Sequence, residues 1–142
     1  MRFLDVSVLL CVALKQPEEH FAGCKALLER LKTTSSAKPK ETVVTTFLTP
    51  AVFYFLLENR ENLPRERITL AMKALKDLNI KIMTIKNGDL MEEAAIMAEK
   101  YGIDFDDAVN VIVMRESGVR EIYALDSDYD KLDWIRRVVP LQ

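Results

Sequence analysis

The strongest constraint on the fold is an apolar segment that begins with aspartates. Asp104, Asp106 and Asp107 stand at its start. Between Ala108 and Met114, Asn110 is the only polar residue. A helix that is apolar on every side is normally enclosed by other elements, so this segment predicts a buried central helix. The core would therefore hold the aspartates at its start in a defined place.

These aspartates have two interpretations. Asp104 is a favoured N-cap residue, and an acid at Asp107 resembles a capping box that also suits the positive end of the helix dipole. Capping explains neither Asp106 nor Asn110. Helical spacing puts Asn110 on the same face as Asp106 and Asp107, which suggests a polar pocket there. From these residues alone, a helix cap and a polar pocket at this helix end both stay open.

The rest of the chain alternates between strand and helix patterns. Apolar and β-branched runs predict strands at Met1–Leu4, Thr42–Thr45, Ile80–Ile85, Glu121–Leu125 and Arg136–Val139. Helical spacing predicts helices from Ser7, over Pro17–Lys32, Leu48–Asn59, Pro64–Leu78 and Leu90–Tyr101, and from Asp104, with a polar loop over Thr33–Lys40. This alternation predicts an α/β fold with a mostly parallel sheet of four to five strands and helices on both faces. At 142 residues, without repeat or linker, we expect a single domain over residues 1–142.

Composition narrows the function classes and the location. A net charge of -2 argues against a polycation for nucleic acid, although a local basic rim is compatible with it. The run Val6–Leu14 is too short for a membrane span, and Asp5 directly before it argues against a signal peptide, so we expect a cytoplasmic protein. Cys11 and Cys24 lack metal-type spacing and are expected in the core. His20 is the single histidine, which disfavours a Ser/His/Asp triad or an imidazole-rich zinc site.

Aspartates also stand at the ends of two predicted strands. Asp5 follows the first strand and Asp126 the fourth, and α/β sheets bind ligands at the carboxyl ends of their strands. If Asp5, Asp107 and Asp126 approach within ~5 Å, each pair repels by roughly 3 kcal/mol at an effective dielectric near 20. The cluster then needs a cation or retained protons. Oxygen-only ligands favour a hard ion, Mg²⁺ first and then Mn²⁺, and such an ion suits phosphodiester hydrolysis.

Three motifs, in this order along nearly the whole chain, resemble those of the PIN domain family, and more closely its small prokaryotic toxins of the VapC type. Leu4-Asp5-Val6-Ser7 matches the opening motif. Tyr101-Gly102-Ile103, leading into Asp107-Ala108, matches the central one. Tyr123-Ala124-Leu125-Asp126, followed by Ser127-Asp128-Tyr129-Asp130, matches the closing one, where a hydroxyl residue often stands at the position of Ala124.

The resemblance implies a Rossmann-like three-layer α/β/α sandwich of PIN-like type and a Mg²⁺- or Mn²⁺-dependent endoribonuclease. It also implies a homodimer, RNA as substrate, and a small antitoxin protein as partner in a toxin–antitoxin pair. Carried over by position, the catalytic and metal-binding carboxylates would be Asp5, Asp107 and Asp126. Asp128 would be a further metal ligand. The supporting residues implied for ligands or water are Ser7, Asp104 and Asn110.

One position departs from the family pattern. The family usually has a glutamate on the helix after the second strand, and the alignment puts Val52 there. Glu58 is a poor substitute, because six residues along a helix means ~9 Å of rise and a different face. Thr45, Thr46 or Thr49 would hold a water in its place. Two functions therefore stay open: an active nuclease, or a PIN-fold binding or regulatory protein with impaired catalysis.

Overall fold

The fold is built on one parallel sheet. The structure is a computed structural model, and it describes residues 1–34, 41–85 and 88–141. Its strands are β1 (Arg2–Leu4), β2 (Val43–Thr46), β3 (Lys81–Met83), β4 (Glu121–Tyr123) and β5 (Arg136–Val138). Their order in the sheet is β3-β2-β1-β4-β5, and each neighbouring pair is parallel. The predicted parallel sheet is confirmed, with five strands in the described part of the chain.

The helices begin and end close to the predicted positions. They are α1 (Val6–Leu14), α2 (Glu18–Leu31), α3 (Leu48–Asn59), α4 (Arg65–Lys76), α5 (Asp89–Tyr101) and α6 (Phe105–Glu116). A short 3₁₀ helix, Ser127–Lys131, was not predicted, because so few residues carry no periodic signal. Residues 35–40 of the predicted polar loop lie outside the described residues. Among the helices of the described ranges, none combines the length and the apolar character that crossing a membrane requires.

Successive residues of β1 belong to two different apolar clusters. Phe3 packs into a cluster built mainly from α6, with Ala94 from α5. Leu4 packs into a second cluster that α1, α2 and α3 form with Ile68 of α4. Because successive side chains of a strand point to opposite faces, the sheet is covered by helices on both sides. The predicted three-layer α/β/α sandwich is therefore confirmed.

Helix α6 is the buried central helix that its sequence predicts. Every residue from Asp107 to Met114 is buried. Gly102, with a φ of 64°, ends α5 in the left-handed conformation that glycine adopts at little cost. Ile103 then packs into the core, and Asp104 occupies the N-cap position of α6. This turn brings the start of α6 to the carboxyl edge of the sheet, where β1 and β4 end.

The two cysteines lie where the sequence predicts them. Cys11 of α1 and Cys24 of α2 are free thiols, and both are buried in the cluster formed by α1, α2 and α3. Apolar burial keeps a thiol protonated and inert, so they act as small core residues.

Candidate metal centre

Asp5 is a buried carboxylate that its neighbours hold in place. It follows β1, is 1% exposed, and is the N-cap of α1. Its Oδ2 accepts hydrogen bonds from the Ser7 backbone N–H (3.0 Å) and the Ser7 hydroxyl (2.5 Å). Ser7 Oγ accepts in turn from the N–H of Leu125 (3.0 Å), which ties α1 to the segment after β4. Burial raises the pKa of the Asp5 carboxyl, while hydrogen bonds from Ser7 and Tyr129 act to lower it.

Tyr129 joins Asp5 to Asp107. Its hydroxyl oxygen lies 2.8 Å from Asp5 Oδ1 and 3.0 Å from Asp107 Oδ1. Asn110 Nδ2 donates to the same hydroxyl oxygen at 3.3 Å, and Asn110 Oδ1 accepts from Thr46 Oγ1 at 3.3 Å. All five side chains are buried. A chain of polar groups therefore runs from the end of β2 through α6 to both aspartates.

One proton on Tyr129 cannot serve both carboxylates. A hydroxyl has a single O–H donor, so when Tyr129 donates to Asp5, its contact with Asp107 needs a proton on the Asp107 carboxyl. Burial, together with the negative charges of Asp5 and Asp106, raises the pKa of Asp107 to about 8. Near neutral pH, Asp107 therefore holds a proton in the metal-free protein.

Asp107 also belongs to two groups of neighbouring carboxylates. One oxygen each of Asp104, Asp106 and Asp107 lie within 4.8 Å of one another, and so do oxygens of Asp107, Asp126 and Asp128. Asp126 is the N-cap of the 3₁₀ helix, and its Oδ1 accepts from the Asp128 N–H at 2.9 Å. Burial and neighbouring carboxylates raise the pKa of Asp106. We call the six aspartates at this edge the carboxylate cluster: Asp5, Asp104, Asp106, Asp107, Asp126 and Asp128.

The carboxylate cluster has little positive charge to balance it. In the part of the chain that the structure describes, its one ion pair joins Asp128 to Lys131 at 2.9 Å. Arg137, which lies nearby, pairs instead with Asp130, outside the cluster, at 2.8 Å. Crowded carboxylates without basic partners favour a bound cation, and donors that are all oxygen suit Mg²⁺ and Mn²⁺. The two groups around Asp107 therefore suit a hard ion, whereas Asp5 lies outside both groups and is connected to Asp107 through Tyr129.

Most of the predicted site residues meet at this edge, and the roles assigned to them stay predictions. Asp104 occupies the N-cap position of α6, but its side chain makes no capping hydrogen bond, so this structure favours the pocket interpretation for it. Thr45 is engaged elsewhere, because its hydroxyl donates to the Leu4 carbonyl (2.9 Å) and contacts Thr49 Oγ1 (2.7 Å). Its neighbour Thr46 makes the contact with Asn110 instead.

Tyr129 contacts two of the predicted site residues and was not itself predicted as a site residue. In the sequence it is identified only as part of the closing motif, and no role is predicted for it. Its ring does pack into the α6 cluster. The available signal was chemical, since a buried tyrosine hydroxyl normally finds a polar partner and the acidic motif around it offers several.

The position of the missing glutamate is apolar in the structure as well. Val52 is half-buried and packs against the cluster formed by α1, α2 and α3. Glu58, one and a half turns further along α3, pairs with Arg65 at 3.2 Å. Neither Val52 nor Glu58 therefore adds a carboxylate to the cluster.

A groove of about 920 Å³ opens beside the Asp5 cap. Ser7 and Leu125 line its side nearest Asp5. Its charged lining residues are two basic and two acidic ones, Lys15, Arg60, Glu18 and Glu61, and Arg60 pairs with Glu61 at 3.0 Å. The remaining walls come from the end of α1 and the start of α2, with the apolar side chains Leu10, Leu14, Pro17 and Phe21. The groove could admit an extended polymer to the edge where Asp5 lies.

Comparisons with known proteins identify the fold. No family model matches this sequence, and a search of curated proteins gives no significant match. The structure is similar to the crystal structure of Mycobacterium tuberculosis VapC20, described as a sarcin–ricin loop cleaving toxin. That similarity has a TM-score of 0.72 at 21% identity and covers 99% of this chain and 100% of that one. PAE2754 from Pyrobaculum aerophilum gives a TM-score of 0.59 at 18% identity, over 96% of this chain and 88% of that one. The predicted resemblance to a PIN-like fold is confirmed.

Proposed function

We propose that residues 1–142 form one PIN-like domain that acts as a metal-dependent endoribonuclease of the VapC type and hydrolyses RNA phosphodiester bonds. The observation that carries this proposal is the carboxylate cluster, which gathers six aspartates at one sheet edge with a single ion-pair partner among the described residues. The similarity of the fold to that of the toxin VapC20 supports the choice of reaction.

The residues have distinct tasks in this proposal. Asp5, Asp107 and Asp126 hold a Mg²⁺ or Mn²⁺ ion, and Asp128 adds a carboxylate at the rim. When bound, the ion supplies Lewis acidity toward phosphoryl oxygen and water. Ser7 fixes the orientation of Asp5 through two hydrogen bonds to Oδ2. Burial of Asp5 and Asp107 limits water around these two acids, which strengthens their attraction for a cation.

The partners follow from the same resemblance and are proposals too. We expect RNA to enter along the groove beside Ser7, where Lys15 is a basic residue available for a phosphate. A small antitoxin protein and a second copy of the chain are the expected protein partners. A cytoplasmic location agrees with the two free buried thiols.

A second function is supported by Val52. Because this residue packs among apolar side chains where the family usually has a carboxylate, the site has one acidic ligand fewer. Fewer charged ligands weaken divalent ion binding. The alternative is therefore a PIN-fold binding or regulatory protein with impaired catalysis.

Cleavage of an unstructured RNA in Mg²⁺ or Mn²⁺ separates the two functions. The wild type should cleave and Asp107→Asn should lose nearly all activity, because Asp107 is common to both carboxylate groups. Asp77→Asn is the matched control, since Asp77 is an exposed aspartate at the end of α4. Equal trace activity in the wild type and Asp107→Asn would refute the enzyme and leave the binding role.

A further inference from the structure

Tyr129 lies between the two most buried members of the carboxylate cluster. Its side chain is 1% exposed, and its ring packs with Leu132 and Ile135 in the α6 cluster. The hydroxyl contacts Asp5 Oδ1 and Asp107 Oδ1 at hydrogen-bond distance. Because the ring is enclosed, the hydroxyl stays in place and cannot turn away to solvent.

Asn110 sets the direction of the Tyr129 O–H. Asn110 Oδ1 accepts from Thr46, which leaves Asn110 Nδ2 to face the tyrosine as a donor. In this contact the amide N–H is the donor and the phenol oxygen is the acceptor. The phenol proton must therefore point away from Asn110. The remaining polar neighbours of the hydroxyl are the two aspartates.

We propose that Tyr129 is a positioning residue of the candidate metal centre. Its hydroxyl, which Asn110 orients, holds Asp5 and Asp107 at a fixed separation. This inference rests on the proposed function. The Tyr129 hydroxyl lies within hydrogen-bond distance of one oxygen of each side chain, and these two contacts keep Asp5 and Asp107 from rotating apart. A site whose ligands are held in advance loses less conformational freedom when it binds its ion.

The direct test is metal binding by Tyr129→Phe without RNA. Calorimetric titration of the full chain with Mn²⁺ should show an affinity roughly 10–100-fold weaker than wild type, the range typical for hydrogen-bond partners of metal ligands. Tyr123→Phe is the matched control. Tyr123 is also a buried tyrosine, but its hydroxyl serves Arg2 and Glu41. The control should bind Mn²⁺ as the wild type does, even if it unfolds at a lower temperature.

RNA cleavage then separates positioning from direct catalysis. At saturating Mn²⁺, Tyr129→Phe should recover a kcat near that of the wild type, because the lost hydroxyl acts through Asp5 and Asp107. A folded Tyr129→Phe protein with wild-type Mn²⁺ affinity would overturn the inference. So would a variant that stays inactive with its site filled while the wild type cleaves RNA.

A second variant covers the case in which Tyr129→Phe does not fold. Thr46→Val keeps the shape of the side chain and removes the donor that orients Asn110, so Mn²⁺ binding should weaken in the same direction by a smaller factor. Unchanged affinity there would count against the proposal. Wild type that binds Mn²⁺ but cleaves no RNA would refute the ribonuclease and leave the positioning role standing. Wild type that binds no Mn²⁺ would overturn both.

Discussion

Asp107 is the single residue at which the candidate site most clearly lowers the stability of the folded protein. Its carboxyl is 4% exposed and lies beside other acids. Burial together with like charge makes its ionised form costly, which is why its pKa is raised to about 8. A bound cation would offset this cost. Strongly shifted pKa values cluster at functional sites.

The metal-free protein should therefore become less stable as pH rises. The folded state retains a proton on Asp107 between its ordinary pKa of 3.8 and about 8, whereas the unfolded chain has lost it, so stability falls across that window. Asp5 and Asp106 have raised pKa values and act in the same direction. Thermal unfolding in a chelator should give a lower Tm at pH 8 than at pH 6.

Asp107→Asn should remove part of this pH dependence. The amide keeps the shape of the carboxyl and carries no charge, so at pH 8 the metal-free variant should be more stable than the wild type by roughly 1–3 kcal/mol. Circular dichroism melting at pH 6 and pH 8 measures both effects. A variant less stable than the wild type at both pH values would contradict the electrostatic account.

At the scale of elements, the helices were more predictable than the contacts between them. Helix α6 could be recognised because its apolar residues leave no solvent-facing side. The 3₁₀ helix that supplies Tyr129 has no such pattern. The close approach of α2 to the end of the chain also has no sequence signal beyond Gly23. A Cβ built there would lie 2.2 Å from the Pro140 carbonyl oxygen.

Gly23→Ala should destabilise the fold although alanine is the better helix former. Alanine favours a helix interior by about 1 kcal/mol over glycine, but overpacking against backbone costs about 1–3 kcal/mol. We therefore expect a lower midpoint in urea unfolding. Gly88→Ala is the control, because nothing lies within 4 Å of its added Cβ. A Gly23→Ala protein as stable as the wild type would mean that the segment at Pro140 moves freely off α2.

At the scale of the whole molecule, topology creates the site. The five described strands are parallel, so their carboxyl ends share one edge. Asp5 follows the central strand β1, and Asp126 comes after its neighbour β4. Asp5 and Asp126 are far apart along the chain. They come to the same edge because the chain crosses over through α6 and places β4 parallel to β1. The fold also leaves some apolar side chains exposed. Phe55 of α3 and Leu70 of α4 are both more than half exposed.

We expect this surface to form a dimer. Contiguous apolar patches mark interaction surfaces, and this expectation requires Phe55 of α3 and Leu70 of α4 to belong to one such patch. Light scattering should give twice the mass of the 16.3 kDa chain. Phe55→Glu should yield a monomer, while Glu66→Gln, at an exposed position of α4, should not. A wild type that stays monomeric at high concentration would rule out the expected homodimer.

The sequence by itself determined the order of strands and helices, the burial of α6, and the placement of acids at strand and helix ends. Those features follow from apolar periodicity and from residues that stop helices or strands, which act over a few neighbouring positions. Only the tertiary structure decided that Tyr129 bridges Asp5 and Asp107, and that Thr46 donates to Asn110. Hydrogen bonds between distant segments depend on how packed side chains are oriented, and that orientation is settled by the core as a whole.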